Sequence, residues 1–277
     1  MRVIHVPFFD SYLDTEIYYE EYGEKSATPL VLVTGLACNM LQWDPKLVDV
    51  LVQHYKVILI DNRGSGRSGS SWKFYSMKTF SKDIKNLLDH LKIKKTHLFG
   101  HSLGGAIVQR FTIMHPKMVK KLVLFSPDIG AFKRKLPSRK IVRMLIRGLK
   151  SDAQMILHHA FFTSNIHGNK NKMMRRAVDC VDRMFRYFPM SKIDYTKQLF
   201  AAYFFNTWKK VEEIKNPTLI LTGEQDKIIL PENAIRLSKR LPNSTLSIIP
   251  NCGHFFLYDD LKPLLPELFE FLGVKSK

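Results

Sequence analysis

Cysteine is scarce: three residues (Cys38, Cys180 and Cys252) in 277, an odd number with no metal-ligand spacing. That excludes a disulfide scaffold and a cysteine-based metal site, and it suits a reducing compartment. Long hydrophobic runs are also missing. No uninterrupted apolar stretch approaches the roughly 18 residues that a membrane-spanning helix needs. The opening, MRVIHVPFFDSYLDTEIYYEEYG, has no apolar signal core and meets Asp10, Asp14 and Glu16 early, so it does not read as a secretory leader. Internal repeats and low-complexity linkers are absent as well. The chain reads as a soluble, cytoplasmic protein with an ordinary globular composition, 45% hydrophobic and 25% charged.

Acidic residues are the other shortage. There are 25 Asp and Glu against 43 Lys and Arg, a formal charge of +18. The excess is local: residues 131–210 hold 18 Lys/Arg against Asp152, Asp179, Asp182 and Asp194, so this segment carries +14 and the rest only +4. Such a patch suits an anionic membrane surface, an anionic substrate, or a solvated face with no partner at all. No nucleic-acid-binding motif accompanies the charge, so nucleic acid is not an expected partner.

Outside that segment, strand-like and helix-like stretches alternate. Residues 2–8 and 15–22 suit an antiparallel pair. The runs 29–33, 56–60, 96–99, 121–125, 217–221 and 244–249 are short, apolar and β-branched, as strands buried on both faces should be. Helical periodicity covers 76–92 and 103–115, then about 231–240 and 262–272. Strands alternating with such helices imply βαβ units and a parallel sheet: an α/β fold. The boundaries follow: a core of residues 1–130 and 211–277, interrupted by a mostly helical insertion, 131–210.

The strongest chemical signal is Gly100-His101-Ser102-Leu103-Gly104-Gly105, between the strand 96–99 and the helix beginning near Leu103. A tight strand-to-helix turn needs small residues two before and two after its apex, and it lifts the apical hydroxyl clear of the sheet at a helix N-terminus. The competing reading is a glycine-rich turn with an incidental serine. A serine becomes nucleophilic only when a base takes its proton, and that base must be oriented by an acid. Asp226 follows the strand 217–221, and His254 follows the strand 244–249, so both fall with Ser102 at the C-terminal edge of the sheet. Asp128, after the strand 121–125, is the rival acid. The adjacent His158 and His159 lack the carboxylate cluster that would make them a metal site. Donors for an oxyanion would be the backbone N–H groups of Leu103 and of Leu36, the latter in the loop after strand 29–33.

These motifs, with Thr34-Gly35-Leu36 and the turn Asp61-Asn62-Arg63-Gly64-Ser65-Gly66-Arg67-Ser68, resemble the cap-bearing esterase/lipase-like branch of the α/β-hydrolase superfamily. The resemblance covers about 25–130 and 215–272. It implies the α/β-hydrolase fold with a mostly parallel sheet and a helical cap over 131–210. It also implies a Ser102–Asp226–His254 triad and no metal or organic cofactor. Thr34 departs from the pattern, since many relatives carry histidine there. The expected activity is hydrolysis of a carboxylic ester through an acyl-enzyme, with a small-molecule ester as partner. Lactone or thioester cleavage, and a ligand-sensing or membrane-surface role on the same scaffold, are the alternatives.

The 131–210 segment is rich in aromatics and holds six of the eleven methionines. Either these line a pocket for an apolar acyl chain or they form the segment's own core. Phe132–Lys150 has the pattern of a basic amphipathic helix, with Ile141, Val142, Leu145, Ile146 and Leu149 as its apolar residues. Cys38 and Cys252 lie near the loops of the expected site, and neither is assigned a role.

Overall fold

A computed structural model describes residues 8–13, 15–130, 133–147, 170–258 and 264–274. Its centre is an eight-stranded sheet: β1 (Phe8–Asp10), β2 (Glu16–Tyr22), β3 (Pro29–Val33), β4 (Lys56–Ile60), β5 (Thr96–His101), β6 (Val119–Phe125), β7 (Thr218–Gly223) and β8 (Ser244–Ile249). The order is β1-β2-β4-β3-β5-β6-β7-β8. β1 and β2, and β2 and β4, pair antiparallel, and every later pair is parallel. The opening pair is antiparallel as expected, but its first strand is Phe8–Asp10 and shares only Phe8 with the expected 2–8; residues 1–7 lie outside the described residues.

The uninterrupted apolar runs explain the layering. Leu30, Val31, Leu32 and Val33 are all fully buried, with Val31 and Val33 in one core layer and Leu30 and Leu32 in the other. Helices α2 (Met77–His90) and α3 (Leu103–Met114) cover the first layer, where Phe80, Ile84, Leu87, Ile107 and Phe111 meet. Helix α1 (Pro45–Val52) and the last helix, Leu265–Leu272, cover the second. Each such large side chain contributes about 1.5–3 kcal/mol on burial. Helix α1 was not anticipated from the sequence. Its start is nonetheless encoded, for the Asp44 carboxylate caps the Lys46 N–H at 2.9 Å and Pro45 occupies the first turn.

Between β6 and β7 the chain forms α4 (Arg139–Arg147), α5 (Lys170–Tyr187) and α6 (Lys192–Tyr203), then returns to the sheet; α7 (Pro231–Ser238) and α8 (Leu265–Leu272) follow β7 and β8. The basic amphipathic expectation holds over α4 with one change. Ile141 and Met144 are buried and Val142 and Leu145 half-buried, whereas Ile146 is exposed. Phe132, Leu149, His158 and His159 lie outside the described residues.

Helix α6 is tied to the core by polar groups. The buried Asp194 carboxylate accepts hydrogen bonds from Ser70, Tyr75 and Ser191, the last from the residue that caps the helix. Gln198, fully buried, donates to the Arg63 carbonyl at 3.1 Å and the Ser65 hydroxyl at 2.8 Å, and accepts from the Ala37 N–H at 3.1 Å. Under α4 and α5 a third apolar cluster joins Ile141, Cys180, Val181 and Met184 to Cys38 and Phe255 of the core loops.

Candidate active site

The Gly100–Gly105 turn is the strained elbow that its sequence implies. Ser102 has φ 53° and ψ −113°, a conformation that costs a non-glycine residue on the order of 1–3 kcal/mol. The surroundings enforce it. The Ser102 N–H donates to the Phe125 carbonyl at 2.9 Å, anchoring the apex to β6. A Cβ at Gly104 would collide with the carbonyl oxygens of Val33 and Thr34, so only glycine lets α3 approach β3 this closely.

The loops after β7 and β8 are welded together. The Gln225 N–H donates to the Cys252 carbonyl at 2.8 Å, and the Glu224 N–H donates to the Ile249 carbonyl at 2.9 Å. Asp226 and His254 are both buried, each 2% exposed. Asp226 Oδ1 accepts the N–H groups of Ile228 and Ile229, both at 2.9 Å, and Oδ2 meets His254 Nδ1 at 2.7 Å. An ionised carboxylate can only accept, so Nδ1 carries the hydrogen and the ring's lone pair sits on Nε2. The rival Asp128 is committed elsewhere. Its carboxylate caps the N–H groups of Ile129 and Gly130 and pairs with Arg134 at 2.5 Å.

Ser102, Leu103, Leu36 and His254 line one cavity of about 530 Å³ between the sheet edge and helices α4 and α6. Its walls are mainly apolar: Val142, Leu145, Leu199, Phe205, Ile228 and Phe255 all contribute. Some of the aromatic residues of the 131–210 segment line it, such as Tyr195, Phe200 and Phe204. Others, such as Phe185, pack with Met184 in an apolar cluster beneath α4 and α5. The composition thus supplies cavity wall in some places and core in others.

Three residues that the sequence did not single out hold the loops in register. The Gly35 N–H donates to Gln42 Oε1 at 2.8 Å, the Gln42 amide bonds His101 Nδ1, and His101 Nε2 donates to the His254 carbonyl at 2.9 Å. This chain of hydrogen bonds joins the loops after β3, β5 and β8. His101 is completely buried, and desolvation, reinforced by the neighbouring His254, pushes its pKa down to about 3. It stays neutral, with one nitrogen donating and the other accepting. With Gly35 held by Gln42 and Ala37 by Gln198, the Leu36 N–H is left between them with no partner among the described residues. Only the letter x of the G-x-S-x-G pattern marks His101, and nothing local marks Gln42 or Gln198.

The Asp61–Ser68 turn supports these loops from behind. Asp61 accepts the N–H groups of Met40 at 2.6 Å and Arg67 at 2.9 Å, and burial pushes its carboxyl up to about 6. Arg63, fully buried, makes a bidentate pair with Asp83, and Asn62 donates to the Thr34 carbonyl at 3.0 Å. Thr34 takes part in the same brace, donating to the Cys38 carbonyl at 3.2 Å. Burial pushes the Cys38 thiol pKa up, so it rests as an apolar wall rather than a nucleophile.

The model of the α/β-hydrolase fold family matches residues 28–261. The chain belongs to that family. Among curated relatives it is 28% identical, over 251 residues, to a poly(3-hydroxyalkanoate) depolymerase from Ectopseudomonas oleovorans, covering 90% of this chain and 86% of that one. It is 25% identical, over 273 residues, to a 2-hydroxy-6-oxononadienedioate/2-hydroxy-6-oxononatrienedioate hydrolase from Pseudomonas putida, covering 94% and 92%. Among solved structures it superposes on an esterase from Rhodococcus sp. ECU1013 with a TM-score of 0.82 at 21% identity, covering 98% and 99% of the two chains.

Proposed function

We propose that this α/β-hydrolase-fold protein is a serine hydrolase that cleaves a carboxylic ester with an apolar acyl group through an acyl-enzyme. One observation carries the reading. A strained, partly exposed serine and a histidine fixed by a buried carboxylate share the floor of a mainly apolar cavity. The depolymerase and the esterase among its relatives make an ester the preferred bond.

The chemistry follows from the geometry. Ser102 Oγ attacks the ester carbonyl while His254 Nε2 takes its proton, and Asp226 stabilises the imidazolium that forms. The N–H groups of Leu36 and Leu103 receive the developing oxyanion. Collapse expels the alcohol, which takes the proton from His254. A water molecule, deprotonated by the same nitrogen, then releases the acid. In this reading residues 1–130 and 211–277 are the catalytic core, and residues 131–210 are a cap whose apolar underside holds the acyl chain.

Steady-state hydrolysis of p-nitrophenyl esters from acetyl to palmitoyl tests it. The expected result is multiple turnover with an optimum at intermediate chain length. Ser102→Ala and His254→Ala should each lower kcat/KM by roughly 10³-fold or more. Turnover that survives Ser102→Ala, or turnover of lactones or thioesters but none of the esters, would overturn the ester reading.

A further inference from the structure

The surface around the cavity mouth has a composition that ester hydrolysis does not require. Twelve large hydrophobic side chains are exposed among the described residues, and seven of them gather here. Leu136, Ile146, Phe200, Tyr203 and Phe204 line the outer part of the cavity that contains Ser102. Phe200 and Phe204 also line an adjoining surface hollow, whose far wall is Phe74. Trp72, two residues before Phe74, is the most exposed of all at 84%; Phe74 and Phe204 follow at 75% and 70%. The result is one aromatic ridge running from Trp72 across the hollow to the mouth.

Cations border the ridge. Lys73 sits over the Trp72 ring at 5.0 Å, and Lys78 and Arg110 line the hollow. On α4, Arg139 and Arg143 share the exposed face with Ile146, seven and three residues before it. The nearby carboxylates are already used: Asp128 by Arg134, Glu232 by Lys135, and Asp194 in its buried network. The face is therefore both apolar and net cationic, and part of it, from Leu136 to Phe204, belongs to the segment that carries +14 of the net charge.

We propose that this face docks on an anionic lipid bilayer, with the aromatic ridge entering the interfacial region and the cavity mouth turned toward the acyl chains. Charge complementarity selects that occupant. A second copy of this chain, itself +18, would gain from the aromatics but not from cations that have no ion-pair partner among the described residues, whereas anionic headgroups around tryptophan and phenylalanine satisfy both. The docking does not depend on the proposed reaction. That an amphiphilic ester enters the cavity from the membrane rests on that reading.

Flotation of the Ser102→Ala protein with phosphatidylcholine vesicles, and with vesicles containing 30% phosphatidylglycerol, separates the two ideas, since no hydrolysis is needed. At 0.1 M NaCl the anionic vesicles should bind at least tenfold more protein, and 0.5 M NaCl should remove most of the difference. Trp43 is buried, so a blue shift of emission that is absent in Trp72→Ala would report entry of the ridge. Trp72→Ala with Phe74→Ala, and separately Arg139→Glu with Arg143→Glu, should each weaken binding at least fivefold. In the Ser102-containing protein these changes should leave p-nitrophenyl acetate hydrolysis within twofold. Absent binding, equal binding to both vesicles, or binding unmoved by either pair would overturn the proposal. So would a dimer that the ridge variants dissociate without any vesicle binding. Vesicle binding without esterase turnover would sink the hydrolase reading and leave the docking intact.

Discussion

A buried histidine that refuses a proton links pH to stability. His97 on β5 is 5% exposed, its Nδ1 has no hydrogen-bond partner among the described residues, and burial, together with Lys120 and Lys121, pushes its pKa down to about 4. The unfolded chain takes up a proton near pH 6.5 that the folded chain rejects. Stability through this group is therefore full above pH 6.5 and is lost as pH falls toward 4, by up to about 1.4 kcal/mol per unit. Asp61, whose carboxyl is pushed up to about 6, contributes with the opposite sign, so the difference between two proteins is the clean readout. His97→Leu should gain about 2 kcal/mol on wild type between pH 7 and pH 5 in urea denaturation. A gap that stays constant across that window would show that His97 titrates in the fold as it does in water. No local pattern marks this: His97 stands in an apolar strand and looks like any core position. Ser102, Asp226 and His254 were legible because each follows a strand, which fixes its place on the sheet edge. Gln42 and Gln198 were not, because a glutamine reveals its partners only once the chain has brought them together.

Among the elements, α6 does more than cover the cavity. Gln198 holds Ala37, a non-glycine residue at φ 60°, and so fixes the turn that presents the Leu36 N–H. Gln198→Ala removes one acceptor and two donor contacts in a buried place, leaving the Ala37 N–H and the Arg63 carbonyl without them. It should destabilise the protein by about 2–4 kcal/mol, and at a temperature where the fold is intact it should lower kcat about tenfold with little change in KM. A rise in KM with kcat unchanged would mean that α6 only shapes the substrate pocket. From β2 onward strand positions were legible to within two residues because runs such as Leu30–Val33 have no other stable place than a sheet interior. Helix α1 escaped notice because its signals, Asp44, Pro45 and the spacing of Leu47, Val48 and Leu51, are individually weak.

For the whole molecule, charge sets the prediction. A net +18, with +14 of it in one segment, repels itself, and among the described residues few ion pairs are buried as the Arg63–Asp83 pair is. Raising NaCl from 20 to 300 mM should therefore raise Tm by a few degrees, since screening weakens repulsion between exposed charges more than it weakens a buried pair. A Tm that falls with salt would place the balance with the surface ion pairs. At this scale the sequence disclosed that residues 131–210 differ from the rest but not how they pack. Composition makes an aromatic residue equally suited to a wall, a core or a rim, and Tyr195, Phe185 and Tyr203 each took a different one of those places.

The hydrogen bond from His101 to the His254 carbonyl spans 153 positions of the chain. During synthesis Ser102 and its elbow leave the ribosome well before His254, so under the proposed mechanism a growing chain carries its nucleophile for much of its translation with no base to deprotonate it. The same bond satisfies the Nε2 hydrogen of His101. Until the last strand arrives and the loop after it closes, the centre of the site holds an unsatisfied imidazole between two unjoined halves. Under the proposed mechanism competence is thus a late event of folding, coupled to the arrival of the C-terminal 30 or so residues, and partly made chains should show no turnover.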